Sequence, residues 1–162
     1  MTVATYINGL SVDAARTALA RCCASHQWVK RMLAGRPYAS DPQLYLAAER
    51  EWWALDRGDW LEAFAAHPRI GERSTDAWAS GEQSSVTGGA GAGFHVALRD
   101  ENGAYERRFG HVYLVCATGR GAAELLADLK TRLGNDPEKE LRVAAGEQAK
   151  ITRLRLEKLV TT

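Results

Sequence analysis

Three side chains of the kinds that proton transfer and anion handling require stand at telling positions: His67, Glu82 and Arg155. His67 follows an amphipathic run, Trp60-Leu61-Glu62-Ala63-Phe64-Ala65-Ala66, which reads as a short helix with Asp59 as its N-cap. Pro68 disfavours helical backbone at the residue before it, so the helix is expected to stop at His67 and leave it extended. An imidazole near its unperturbed pKa gives or takes a proton at neutral pH. Pro68, Ile70 and Gly71 packed behind it would keep the loop rigid. The same spacing equally suits a plain helix C-terminus capped by a histidine.

Arg155 is placed by periodicity. On the last helix Leu141, Ala145, Gln148, Ile151 and Leu159 trace one face, and Arg155 lies four residues from both Ile151 and Leu159, inside the apolar stripe. A guanidinium there must find an anion or a hydrogen-bonding partner, because burying it alone is costly. That partner is either a substrate or a carboxylate from another helix, Glu82 among the candidates. Arg153 falls on the opposite side of the wheel and is expected in solvent. Glu82 by itself reads as a solvated acid beside Gln83 in a surface turn.

The elements that must carry these residues read as helices. Ser11 is an N-cap for Val12 to Cys22, Ser25 for a helix through Trp28, Met32 and Leu33 that Gly35 and Pro37 end, and Ser40-Asp41-Pro42 for one through Leu44, Leu46, Ala47, Trp52 and Leu55. Trp52 and Trp53 cannot both face the core. Asp56-Arg57-Gly58-Asp59 is a turn that delivers the chain into the Trp60 helix. Thr75 to Gln83 has room for one or two helical turns. Thr87 to Gly93 lacks both a Gly-x-Gly-x-x-Gly spacing and a preceding strand, so it reads as a connector and not a phosphate loop. Phe94 to Asp100 is helical, with Asn102-Gly103 as the stop. Val112 to Cys116 is β-branched and apolar, but a lone strand has no partner, so a buried extended or short helical segment leading into Gly119 is expected. Gly121 to Leu133 and a long helix from Asp136-Pro137 to about Val160 complete an all-α, single-domain irregular bundle of about eight helices, residues 1–162.

The words His67-Pro68-Arg69-Ile70-Gly71, Gly81-Glu82-Gln83, Tyr105-Glu106-Arg107-Arg108-Phe109-Gly110, Val115-Cys116-Ala117-Thr118-Gly119-Arg120 and Ile151-Thr152-Arg153-Leu154-Arg155-Leu156, taken together, resemble one family. It is the 2-oxo-4-hydroxy-4-carboxy-5-ureidoimidazoline (OHCU) decarboxylases, which act late in uric acid breakdown to give (S)-allantoin and CO2. The family usually carries a serine three residues before the Glu of Glu-Gln; here Ala79 holds that place and Ser80 follows it. The resemblance implies that His67 is the central acid/base, with Glu82 and Arg155 holding and polarising the substrate. It further implies an amide contact from Gln83, a wall from Pro68, and backbone N–H and C=O groups from Val115 to Gly119 toward the ring imides. It implies no cofactor and no metal, a small ureidoimidazoline as the substrate, and a homodimer. Phe109 reads as core and Arg107-Arg108 as a solvated face.

Composition narrows the field. With Lys and Arg at 21 against Asp and Glu at 20, the chain has no electrostatic footprint for nucleic acid or an anionic membrane. No apolar stretch approaches a membrane span, the first residues lack a signal-peptide pattern, and a cytoplasmic protein is expected. Cys22, Cys23 and Cys116 are odd in number and lie in apolar runs, which suits buried free thiols in a reducing compartment. Two rivals remain: a metal hydrolase using His67, His95, His111 and Glu82, whose histidines lie on unrelated segments without ligand spacing, and a non-catalytic helical interaction module built on the five tryptophans.

Overall fold

The computed structural model describes residues 1–70 and 92–161. Among the described residues there are eight helices and no strand, in agreement with the all-α expectation. They are α1 Val3–Gly9, α2 Val12–Cys22, α3 His26–Ala34, α4 Asp41–Trp53, α5 Arg57–Ala65, α6 Ala92–Phe109, α7 Ala122–Leu133 and α8 Pro137–Lys158. None of them is long and apolar enough to cross a membrane. The readings placed on Thr75–Gln83 and on most of Thr87–Gly93 lie outside the described residues, and so do Ala79, Ser80, Glu82 and Gln83.

Helix starts follow local chemistry closely. Ser11, Ser25 and Ser40 each accept the N–H three residues on, from Ala14 (3.1 Å), Trp28 (3.3 Å) and Gln43 (3.3 Å), the bonds that N-caps are expected to supply. Asp59 departs from its assigned role. α5 begins at Arg57, so Asp59 sits in the first turn and its carboxylate accepts the Asp56 N–H at 3.4 Å. The Asp56 carbonyl takes the first helical bond, from Trp60 at 3.2 Å. Asp59 is thus the reaching-back half of a capping arrangement, and the supposed Asp56–Asp59 turn is the helix start.

Asn102-Gly103 does not stop α6, which runs on to Phe109 and also includes Gly93. Asn102 is buried and its Nδ2 donates to the Ile70 carbonyl at 3.3 Å, so a tertiary bond overrides the local preference of Asn-Gly for a turn. On α4, Leu46 is exposed and does not join the core, and Leu55 is buried beyond the helix end. Trp52 and Trp53 divide as their spacing requires, at 2 % and 39 % exposure.

The described chain forms two compact units: Met1–Ala63 with the residues from Gln148 onward, and Phe64–Glu147. In the first, α2 packs on α3 and α3 on α4, around Ile7, Leu19, Trp28, Met32, Leu44 and Leu156. The buried indoles keep their donors satisfied, with Trp28 Nε1 bonded to the Ala48 carbonyl (3.0 Å) and Trp60 Nε1 to that of Trp52 (2.9 Å). In the second, α6 packs on α7 over a core of Ile70, Leu98, Tyr105, Tyr113, Val115, Leu125 and Leu129. Phe109 is packed against that core, as its reading required.

Candidate functional site

His67 stands where the sequence put it. α5 ends at Ala65, and the His67 N–H closes the last turn onto the Phe64 carbonyl at 3.1 Å. His67 and Pro68 are both half-buried. The residues after Pro68 are bonded to α6. Asn102 and Glu106, one turn apart on the same face, hold the next two residues. Arg69 Nε lies between the Glu106 carboxylate oxygens at 2.9 and 2.8 Å, and Asn102 holds the Ile70 carbonyl. On the helix side of the exit, the Phe64 ring packs on His111 at 5.3 Å, and His111 in turn meets Tyr105 edge-on and stacks on Phe109.

The segment from Val112 to Ala117 is neither helix nor strand, so the short helical alternative is not adopted, and it turns at Thr118-Gly119. Gly119 has φ +78°, a conformation that suits glycine, and the Arg120 N–H closes the turn onto the Ala117 carbonyl at 3.0 Å. Val115 is buried and Gly119 exposed. The backbone on either side of Val115 is held by protein groups: Arg132 Nη1 donates to the Leu114 carbonyl at 2.8 Å, and the Cys116 N–H donates to Glu147 Oε1 at 3.2 Å.

Behind this segment lies a charged network that sequence reasoning missed. Arg132, 4 % exposed, donates from Nε and Nη2 to Glu140 Oε2 at 2.8 and 2.6 Å, and Glu140 is fully buried. The Tyr105 hydroxyl donates to the same oxygen (2.5 Å), Asn135 Nδ2 to the other (3.0 Å), and the Tyr113 hydroxyl to Asp128 (2.5 Å). Burial, then the carboxylate each one faces, pushes both phenols well above the usual tyrosine range, so they remain donors. Burial works against the Arg132 cation, but Glu140 outweighs it and keeps the guanidinium charged. A signal was present in the sequence: Leu125, Leu129 and Arg132 share a face of α7, the same stripe argument that singled out Arg155.

Arg155 is buried on α8, and Arg153 is exposed, its side chain paired with Glu157 at 2.7 Å and lying over the Tyr45 ring at 3.7 Å. Arg155 Nη1 donates to the Arg21 carbonyl, in the last turn of α2, at 3.1 Å. A helix C-terminus carries partial negative charge, so a backbone carbonyl serves as one partner where a carboxylate was expected. Among the assigned residues, His67, Pro68, Val115 and Gly119 fall in the second unit and Arg155 in the first. His95 is exposed on α6, and among the described residues no group of three or more His, Cys, Asp and Glu side chains is arranged to hold a metal ion.

Cys22 and Cys23 are buried free thiols, and Cys116 is only half-buried, a departure from its apolar setting in the sequence. Burial pushes the Cys22 and Cys23 thiols up to about 12. At neutral pH a thiol-specific reagent should therefore modify native protein at Cys116 first, and reach Cys22 and Cys23 only on unfolding. A folded-state value raised above the unfolded one favours the folded protein below the unfolded pKa. That contribution should fade as pH rises from about 9 toward 12. Denaturant midpoints across that window, with Cys22→Ala/Cys23→Ala as the control, check the sign.

Comparison with known proteins adds an independent line. A family model described as OHCU decarboxylase matches residues 8–157. The chain is 38% identical over 145 residues to the uric acid degradation bifunctional protein TTL of Arabidopsis thaliana, covering 85% of this chain and 45% of that protein. It is 36% identical over 69 residues to the OHCU decarboxylase of Amia calva, covering 39% of that protein, so the chain spans less than half the length of either relative. With the OHCU decarboxylase of Haloferax volcanii it shares 26% identity over 153 residues, 93% of this chain and 91% of that one. Among solved structures, it is similar to an OHCU decarboxylase crystallised in the presence of (S)-allantoin, with TM-score 0.79, 36% identity, and 88% and 96% of the two chains covered. An (S)-allantoin synthase structure shares the fold at TM-score 0.70 and 21% identity, with 96% of this chain and 53% of that one covered.

Proposed function

The chain belongs to the OHCU decarboxylase family, and from that premise we propose that it decarboxylates 2-oxo-4-hydroxy-4-carboxy-5-ureidoimidazoline to (S)-allantoin and CO2, without a cofactor. The observation that carries the reading is the likeness, over nearly the whole chain, to an OHCU decarboxylase crystallised with (S)-allantoin. The reaction breaks the C–C bond between the carboxylate and the hydroxyl-bearing ring carbon and releases CO2. That carbon becomes a carbonyl as the hydroxyl gives up its proton, and one proton is delivered to the neighbouring carbon that bears the ureido group. The electron pair passes into the adjoining ring C=N bond, giving a planar enol or enolate through the hydroxyl oxygen, which a cation or a fixed donor stabilises.

His67 contacts the hydroxyl beside the departing carboxylate and directs the proton. Glu82 and Arg155 hold and polarise the substrate, Gln83 adds an amide contact, Pro68 forms a wall, and Val115 to Gly119 offer backbone groups to the ring. What supports these roles is the half-buried histidine at a braced helix exit, the arginine buried in an apolar stripe, and the turn held behind Val115. We further propose that residues 1–162 work as one OHCU decarboxylase domain, as a homodimer in the cytoplasm. The family model running through both compact units and the free thiols support the first and last of these. The dimer rests on the family resemblance, and light scattering of the purified protein checks it.

The test of the function is turnover of freshly generated substrate, followed by circular dichroism of the product. In free solution the planar enolate takes its proton from either face and the product is racemic, so optical activity reports on the protein. Racemic product at the spontaneous rate would refute the proposal. Because the ring's own C=N bond accepts the electrons, rate and handedness should both survive exhaustive chelation; activity lost to a chelator and restored by a divalent ion would refute the cofactor-free mechanism.

A further inference from the structure

We propose that Glu147 is a positioning residue for the turn Cys116–Arg120, gripping both ends of the turn with one carboxylate. In doing so it sets how the backbone of Val115–Gly119 is offered to substrate, a consequence that rests on the function proposed above. Glu147 Oε1 accepts the Cys116 N–H at 3.2 Å and lies 3.7 Å from Arg120 Nη1, and the Glu147 side chain is only 10% exposed. Between those two anchors the chain reverses through Gly119. Arg120 is itself held from α7, by Glu124 at 3.0 Å and Asp128 at 3.7 Å, so the far end of the turn is tied to two helices. Arg132 fixes the Leu114 carbonyl one residue before Val115. The peptide planes on either side of Val115 are thereby oriented before any ligand arrives.

Donors and acceptors that are already aimed cost little to order on binding, whereas a loose turn must be ordered by the ligand. A hydrogen bond to a charged acceptor is the stronger kind, and a largely buried one more so. Losing Glu147 should therefore appear in substrate affinity and in the local motion of the turn, with the chemical step much less affected. The global fold keeps the Arg132–Glu140 pair and the aromatic core around Tyr105 and Tyr113, which do not involve Glu147.

The experiment compares Glu147→Ala and Glu147→Gln by steady-state kinetics and by amide hydrogen exchange of the 114–120 peptide. Glu147→Ala should raise KM about 10- to 100-fold, the equivalent of one hydrogen bond to a charged group, with kcat within about threefold. Exchange at the turn should quicken in that variant while the helices keep their protection. Glu147→Gln retains an oxygen that can accept the Cys116 N–H, so it should lie between wild type and Glu147→Ala on both readouts. Unchanged KM and unchanged turn exchange in Glu147→Ala overturn the proposal, as does a loss of stability with exchange raised evenly along the chain. Equal damage from Gln and Ala overturns it too. Should Glu147→Ala fail to fold, Arg120→Ala removes the other anchor and must loosen the same peptide. If the wild-type protein turns over no substrate, the proposed function fails, while the exchange arm still decides what Glu147 does to the turn.

Discussion

His67→Asn should lower kcat by about 10²–10⁴, the usual loss when a positioned acid/base is removed, while the protein keeps its fold. Asparagine has similar reach and polarity but exchanges no proton near neutral pH. The fold should tolerate the change, because backbone and neighbour contacts hold this exit. The His67 N–H bond to Phe64 is made by any residue there, and Asn102 and Glu106 hold residues 69 and 70 without using the imidazole. Substituting a half-buried side chain removes little apolar contact, so the melting temperature should move only slightly. The decisive measurement is circular dichroism of allantoin formed by the variant at matched substrate. Without a donor fixed over one face of the enolate, whatever product forms should approach the racemic mixture of the spontaneous reaction. A variant that retains near-native rate and yields one enantiomer would reduce His67 to a helix-ending residue and dismiss the proposed role.

The parts of this fold that sequence made legible are those whose physics is local. Serine caps at Ser11, Ser25 and Ser40 act within three residues, and the Pro68 stop acts on its neighbour. The burial of Arg155 follows from a stripe along a single helix. What escaped was settled at a distance. α1 is only seven residues, too short to stand on propensity alone. Its Val3 and Ala4 N–H groups are taken by the Asp41 carboxylate at 3.3 and 2.7 Å, and Arg36 donates to the carbonyls of Ile7 and Leu10 at 2.9 Å each. Both ends are thus satisfied by residues some thirty positions away. Asn102-Gly103 read as a stop for the same reason: the bond that keeps α6 helical goes to Ile70, 32 residues back. For the candidate site, the words around His67 and around Val115–Gly119 named residue types, but the groups that hold the neighbouring residues Arg69, Ile70, Leu114 and Cys116 belong to other elements. Glu106, Asn102, Arg132 and Glu147 carry no mark of that in their own neighbourhoods, except Arg132 through its place on an apolar face.

The largest stability effect is expected at Glu140. Its carboxylate is fully buried and receives the Arg132 guanidinium, the Tyr105 hydroxyl and the Asn135 amide. Replacing it with alanine leaves a guanidinium, 4 % exposed, whose main counter-charge is gone, and strands two further donors in the same cavity. Breaking a buried pair from one side costs about 3–5 kcal/mol. In a chain of this size that should lower the melting temperature by roughly 10 °C. Asp128, 3.5 Å from Arg132 Nη1, offsets part of the charge but cannot reach the Tyr105 hydroxyl's role, since it already accepts from Tyr113. Glu140→Gln keeps the shape and one acceptor, so it should cost clearly less than alanine, though more than a surface change, because the amide also turns a donor toward a site that holds only donors. Because Arg132 also fixes the Leu114 carbonyl, the folded fraction of Glu140→Ala should show faster amide exchange at residues 113–116 than at the α2–α4 core. Equilibrium unfolding in urea, followed by tryptophan fluorescence, measures the first effect. A midpoint within experimental error of wild type would mean that the pair is exposed to water in solution and that the network does not hold the second unit together.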